Sequence, residues 1–493
     1  MNKIVGSTLQ GATLGDESAA GLDLPELAPR RRLKVTSLFA GIGGFDHAFE
    51  MADAEVVFQC EVDGFCRSVL RRHWPKAKLA DDIRTLPPDA IPESDVWTAG
   101  FPCQDVSLAR GNHGRSGLKG NHTSLFFKLM GLVDVRRPRV IVLENVVGLL
   151  NSHQGRDFAI ILRELTSRGY AVSWRVLNAR YFGAPQSRSR VFLCAWLGDY
   201  QRAVTALFQT APGEKPGRQR VGFLTQHAHP STGAIVPEVA YCVAATSGRH
   251  TGNDWARSYI SYRNRIRRPT PTESERLQGF PAGWSLPEDG YRAPARGLDS
   301  ERYKAVGNAV AVPVVRWVAD RIARLASKPP SRALKMNFYA DVMRAAPDLR
   351  KDAGLLHTHT VMAAVDREEF VHRWKPGGCA WKDQIVEGAA SAAPLQIIPS
   401  RFVDALDPDV PDDRYFLTAN AAVGILRRAD VVGRTLFPPM RLALENLVSG
   451  KAANQPAEAT RKTVGDIGVR TRLRTSRAIK RRKIQRVGSS TAW

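Results

Sequence analysis

Paired cysteines are missing from this chain. Its six cysteines, Cys60, Cys66, Cys103, Cys194, Cys242 and Cys379, never fall in a CxxC spacing, and six is few for 493 residues. That argues against a disulfide-stapled scaffold and a zinc module, and it fits a reducing compartment. The opening Met1-Asn2-Lys3-Ile4 carries no apolar signal core, and no uncharged run approaches the length of a membrane-spanning helix. Internal repeats are also lacking. Acid is scarce: 48 Asp and Glu face 71 Lys and Arg, a net charge of +23. The expectation is a soluble, cytoplasmic, monomeric protein with a polyanionic partner, nucleic acid being the first candidate. The plainer reading of the charge is a basic tail on an otherwise neutral body.

What is present is an α/β pattern. A hydrophobic content of 43% is ample for a packed core, and the length implies two or three domains. Residues 1–33 read as a flexible leader rich in Gly, Ala and Pro. From Lys34 strands alternate with helices: strands at 35–39, 55–60, 95–99, 139–143, 171–177 and 190–196, helices at about 44–51, 65–73, 124–135 and 157–168. Such alternation predicts a mostly parallel sheet covered on both faces. Past Trp196 the alternation stops, and 197–267 is irregular. At 268–273 Thr270 or Thr272 offers a helix cap, and Ala305 to Leu325 reads as one long helix. A linker at Ser327-Lys328-Pro329-Pro330 opens a region, 328–450, read as a small helical accessory domain with helices at 417–428 and 439–448. Residues 451–493 are strongly basic with few apolar residues, which predicts a disordered tail.

The first strand is followed by Phe39-Ala40-Gly41-Ile42-Gly43-Gly44 and a helix. Glycines let backbone approach a ligand, and the helix start adds a partial positive charge. Glu61, at the end of the next strand, can accept hydrogen bonds from ribose hydroxyls, and Asp82 can meet an adenine amino group. A tight turn needing glycine for geometry alone is the plainer account. Cys103 follows Pro102 in a segment leaving a strand, where a thiolate would be a nucleophile for an electron-poor ring carbon. A buried structural cysteine is the commoner fate. Glu144 closes the apolar run Val140-Ile141-Val142-Leu143, where a carboxylate is costly without a task or a partner; a neighbour of a helix start is the alternative. Arg188 and Arg190 alternate, so they share a face of an extended segment and suit a phosphate and a base carbonyl, unless they are solvated arginines at a strand start.

Taken together, these motifs resemble the cytosine-5 DNA methyltransferase family. Ser37 to Gly44 is similar to its cofactor motif, Gly100-Phe101-Pro102-Cys103-Gln104 to its catalytic loop, and Glu144-Asn145-Val146 to its glutamate motif. Gln186-Ser187-Arg188-Ser189-Arg190 resembles its QxRxR motif. Arg276-Leu277-Gln278-Gly279-Phe280-Pro281 and Gly307-Asn308-Ala309-Val310 resemble its closing motifs. The order holds over about residues 34–325.

The resemblance implies a Rossmann-like S-adenosylmethionine-dependent methyltransferase core over 34–196, completed by closing motifs at 268–327, with a small target-recognition region at 197–267 and an accessory region behind it. It implies that Cys103 adds to carbon 6 of a flipped-out cytosine, with Glu144 on N3 and the amino group, Arg190 on the base, Arg188 on the catalytic loop or backbone, and Gln104 beside the nucleophile. It implies cofactor contacts from Phe39, Gly41, Ile42, Gly43, Glu61, Val62, Asp82, Ile83, Pro102, Leu125, Asn308 and Val310, and no metal. The partner is double-stranded DNA, with or without a cognate restriction endonuclease: a modification methylase or a solitary phage or prophage enzyme. A methylase acting on RNA cytosine and a catalytically silent DNA-binding protein are the competing readings, and the intact Cys103, Glu144 and arginines argue against silence.

Overall fold

A computed structural model describes residues 31–453 except 103–124, 212–221, 249–253, 296, 330–336, 352, 358–360, 362, 363, 366, 368 and 369. The leader up to residue 30 and the tail from 454 on therefore lie outside the described residues. The strands begin with β1 (Lys34–Leu38), β2 (Glu55–Cys60), β3 (Lys78–Ala80), β4 (Val96–Ala99), β5 (Val140–Val146) and β6 (Tyr170–Asn178). A short β7 (Gln186–Ser187) and a long β8 (Ser189–Leu197) follow. Five very short strands come next: β9 (Gln226–Ala228), β10 (Ile235–Pro237), β11 (Ala240–Tyr241), β12 (Ile260–Ser261) and β13 (Ile266–Arg267). The last three are β14 (Gly354–His357), β15 (Gly377–Trp381) and β16 (Gln384–Gly388).

One ten-stranded sheet carries the body, in the order β14-β16-β15-β6-β8-β5-β4-β1-β2-β3. Apolar side chains cover both of its faces, so the uninterrupted Val140-Ile141-Val142-Leu143 run is buried throughout. Helices Gly44–Glu50, Gly64–His73, Tyr200–Leu207 and Val312–Ala326 supply residues to one core cluster. Helices Leu125–Arg136 and Arg156–Ser167 supply the other. The chain is thus a three-layer α/β structure, as expected.

Several expectations need correction. The sheet is not mostly parallel: β5, β4, β1, β2 and β3 run parallel, while every pairing from β5–β8 out to β14 is antiparallel. The helical layer also runs on past Trp196, because Tyr200–Leu207 packs on β6 and β8. The 328–450 region is not a separate helical domain, since β14, β15 and β16 extend the main sheet from its β6 edge. There Gly378 is required by close approach: a Cβ on it would lie 2.3 Å from the Trp174 ring. The stretch read as one helix from Ala305 is two, Leu298–Asn308 and Val312–Ala326, and Pro313 sits in the first turn of the second. Proline is tolerated there because its missing N–H would have had no intrahelical partner. Thr270 does cap its helix, in a reciprocal capping box with Glu273.

Candidate active site

The carboxyl ends of β1, β2, β4 and β5 surround a cavity of about 1180 Å³. Ligands of open α/β sheets bind at this edge. The chain leaves β1 at Phe39, whose φ of 55° ends the strand one residue earlier than its apolar pattern suggests, and turns through Gly41 (φ 56°) and Gly43 (φ 80°). A Cβ on Gly43 would strike Trp74 at 2.3 Å, whereas one on Gly41 would meet nothing within 4 Å. Gly43 therefore serves packing, and Gly41 leaves its backbone open to the cavity. Phe39 and Gly41 are on the cavity wall; Ile42 and Gly43, expected as ligand contacts, are not. Ile42 points its side chain into the buried core beneath the turn.

Glu61 directly follows β2, each of its carboxylate oxygens holding one backbone N–H: Gly41 at 2.8 Å and Asp63 at 2.8 Å. Both oxygens keep a lone pair for a diol. Burial pushes its pKa up, and the two N–H donors oppose that shift. Beside it Val62 is 64% exposed, a bare apolar face next to Ile83. Asp82 lines the same wall, but its carboxylate is already gripped by the Arg84 guanidinium at 2.6 and 2.9 Å. Pro102, Leu125, Asn308 and Val310 complete the lining expected from sequence. A flat apolar slot flanked by two carboxylates fits a nucleoside.

The other half of the cavity holds Glu144, Arg188 and Arg190. Glu144 lies within β5 rather than at its end, because antiparallel pairing with β8 extends the strand to Val146. Its Oε1 lies 3.1 Å from Arg190 Nε, yet this buried oxygen has no hydrogen-bond partner. Burial raises the Glu144 pKa, and Arg190 and then Arg188 pull it back. A carboxyl so placed holds a proton more readily than a free one and can hand it to a ring nitrogen. Arg188 is occupied by the protein: it donates to the carbonyls of Val243 (2.8 Å), Gly307 (3.3 Å) and Ala309 (2.7 Å). The Gly307 and Ala309 carbonyls are available because the helix breaks between Asn308 and Val312. Only its Nε, also buried, lacks a partner. Cys103 and Gln104 lie outside the described residues.

Three supporting residues had no role assigned from sequence. Asn145 Nδ2 donates to Phe101 O at 2.9 Å and so ties β5 to the segment that leads into Pro102. Its place in the Glu144-Asn145-Val146 motif was the available signal. Gln278 joins Gln186 (2.7 Å) to the carbonyls of Val306 (2.8 Å) and Ala309 (3.1 Å), linking two motifs far apart in sequence. Lys304 lines the cavity and pairs with Asp63 at 2.6 Å, with no sequence signal at all.

Under the glycine turn Asp46 is fully buried and accepts from Ser37 Oγ (2.9 Å) and Gln59 Nε2 (2.9 Å). Burial pushes its pKa up to about 6 against those hydrogen bonds. The folded value exceeds the unfolded one of roughly 4, so protonation favours the fold below about pH 4, and that contribution is lost as pH rises through about 6. Asp46→Asn keeps the shape without the charge. It is expected to be more stable than the wild type at pH 8, by on the order of 2 kcal/mol, with the difference vanishing toward pH 4. Thermal melts of both proteins across that range check this; a pH-independent difference would contradict it.

A nucleoside slot and a buried carboxyl meeting in one cavity at the sheet edge define a group-transfer enzyme. The family model for C-5 cytosine-specific DNA methylase matches residues 33–230 and 218–324, more than half of the chain. The chain belongs to that family. It is an S-adenosylmethionine-dependent DNA cytosine-5 methyltransferase. Type II methyltransferase M2.BsuMI of Bacillus subtilis (strain 168) is 30% identical over 308 residues, covering 59% of this chain and 76% of that protein. Type II methyltransferase M.NlaX of Neisseria lactamica is 30% identical over 311 residues, covering 59% and 96%. A crystal structure of S. pombe Dnmt2 methyltransferase aligns at 18% identity and a TM-score of 0.46, covering 60% of this chain and 100% of that one. No described helix is long and apolar enough to cross a membrane.

Proposed function

We propose that this enzyme methylates cytosine through a covalent adduct between Cys103 and a base turned out of double-stranded DNA. Turning the base out follows from access, because carbon 6 is stacked inside a duplex. The Cys103 thiolate adds to carbon 6, with Gln104 beside it. Glu144 gives a proton to N3 and accepts from the exocyclic amino group, so electron density collects at carbon 5. Arg190 holds Glu144 and the base, and Arg188 braces the loops that close over them. Carbon 5 would then attack the electrophilic methyl group that S-adenosylmethionine supplies when Phe39, Glu61, Val62, Asp82 and Ile83 hold it, and the methyl–sulfur bond would break to leave the neutral thioether, S-adenosylhomocysteine. A solvent-derived base takes the carbon 5 proton, the Cys103 thiolate leaves, and the N3 proton returns to Glu144, which restores the ring. The observation that carries this reading is the buried Glu144, whose Oε1 has no hydrogen-bond partner on the cavity wall. A duplex containing 5-fluorocytosine tests it, because fluorine cannot leave as a cation. With cofactor present the wild type should form a denaturation-resistant complex that maps to Cys103. Full activity with no trapped complex would overturn the covalent route.

Sequence context would be read mainly by 197–267, and the enzyme would act as a cytoplasmic monomer, either beside a cognate endonuclease or alone. Residues 451–493, which hold twelve Lys and Arg against two acidic residues, would tether the enzyme to DNA nonspecifically. Ending the chain at Gly450 is expected to weaken DNA binding uniformly over sequence. The log–log salt slope should flatten by about one for every phosphate that the tail neutralises in the full-length protein. Binding titrations at several salt concentrations check this; equal slopes would remove the tether.

A further inference from the structure

Between β12 and β13 the chain reverses over Tyr262-Arg263-Asn264-Arg265, with the Tyr262 N–H donating to Arg265 O at 2.8 Å. Strands of two residues bury no core of their own, and the C-terminal region supplies what is missing. The Leu417 N–H donates to Ile266 O at 2.8 Å and the Arg268 N–H to Tyr415 O at 3.2 Å, so 415–417 lie along β13 as an added edge. Behind them the helices Ala419–Val432 and Pro438–Ala453 form a core shared with Tyr259 and Ile266, through Ile425, Met440 and Leu444. At the turn itself Asn446 Nδ2 donates to Arg263 O at 2.8 Å. Arg265 pairs with Asp413 and lies 3.6 Å over the Phe416 ring.

The tip is different. Arg263 and Asn264 are exposed, and neither side chain makes a hydrogen bond or an ion pair with another described residue. The backbone is clamped while these two side chains are left to solvent. The turn also lies close to the chemistry. Tyr259 lines a second cavity of about 330 Å³ with Cys242 and Val243, the residues that Arg188 holds. The turn begins three residues on, roughly 10 Å of extended chain.

We infer that the Arg263–Asn264 turn reads base edges of the target sequence, and that Asp413, Phe416 and Asn446 position it. The recognition head is then composite, built from 197–267 together with 413–448. Arginine forks onto guanine O6 and N7, and asparagine onto adenine N6 and N7; both contacts demand a backbone held still. A phosphate contact needs only charge. This inference rests on the DNA-methylating reading above.

The test uses full-length protein and a pool of duplexes with randomised bases around a cytosine, read by bisulfite sequencing, with S-adenosylmethionine binding measured in parallel. Arg263→Ala and Arg263→Lys should both lose preference at the same base pair, by roughly tenfold or more, because lysine keeps the charge and loses the fork. Asn264→Ala should relax a neighbouring pair. Asn446→Ala should blur those same positions without lowering kcat on the best site. Cofactor affinity should not move. Arg263→Lys keeping the wild-type context, Arg263→Ala weakening every sequence equally, or no change in any variant would each overturn the inference. A wild type that binds cofactor and methylates no duplex would overturn the underlying reading and this one with it.

Discussion

Cys103→Ala is expected to bring methyl transfer to background, a loss of roughly 10⁴-fold or more, on the scale of removing a nucleophile. The reason is chemical rather than structural. Carbon 5 of cytosine is a poor nucleophile until a bond at carbon 6 breaks the ring's conjugation, and only a thiolate in the Gly100-Phe101-Pro102-Cys103-Gln104 segment is proposed for that bond. The proposed cofactor slot draws on Phe39, Glu61, Val62 and Ile83, and DNA docking would draw on basic surface, so both affinities should persist. Single-turnover transfer of labelled methyl, beside DNA and cofactor titrations, separates the two effects. Transfer at an appreciable fraction of the wild-type rate would remove Cys103 from its role.

Glu144→Gln is expected to lower the rate of the chemical step by about 10²–10³-fold, the range for losing one group that stabilises developing charge. Glutamine fills the same volume and can still face N3, so the DNA dissociation constant should change little. What it cannot do is give up a proton as the adduct forms. The site's geometry suits that proposed task. Burial raises the Glu144 pKa, while Arg190 at 3.1 Å keeps the ionised form available for return of the proton. Single-turnover rates against a DNA titration provide the check. A large rise in dissociation constant with unchanged turnover would assign Glu144 to binding instead.

Local chemistry was legible in the sequence where it depended on neighbours in the chain. Glycines at 41 and 43, the apolar run before Glu144 and the capping Thr270 each announce their own geometry. The features that sequence hid depend on partners far away in it. Glu144 lies inside its strand only because β8, dozens of residues later, pairs with it antiparallel. Ile42 faces the core and not the ligand because the turn rolls it under. Arg188, read as facing the loop or backbone, is clamped by the Val243 carbonyl and by the Gly307 and Ala309 carbonyls, which are free only where the 298–326 segment breaks into two helices. The strands 354–388 were missed because they are four or five residues long and glycine-rich, and β15 and β16 are buried almost throughout, so no period-two pattern marks them. The Trp174 ring and the Val386 carbonyl, both packed against Gly378, explain why glycine stands there. The same holds for the C-terminal helices: helices at 417–428 and 439–448 were visible, but not that their apolar residues close over Tyr259 and Ile266.

The most direct measurement is bisulfite sequencing of DNA from cells expressing the full chain, with cells expressing Cys103→Ala as the control. Protected cytosines in one short recurring context are expected with the wild type, and none above background with the variant. DNA left fully convertible by a soluble, cofactor-binding wild type, or protection that persists with Cys103→Ala, would contradict it.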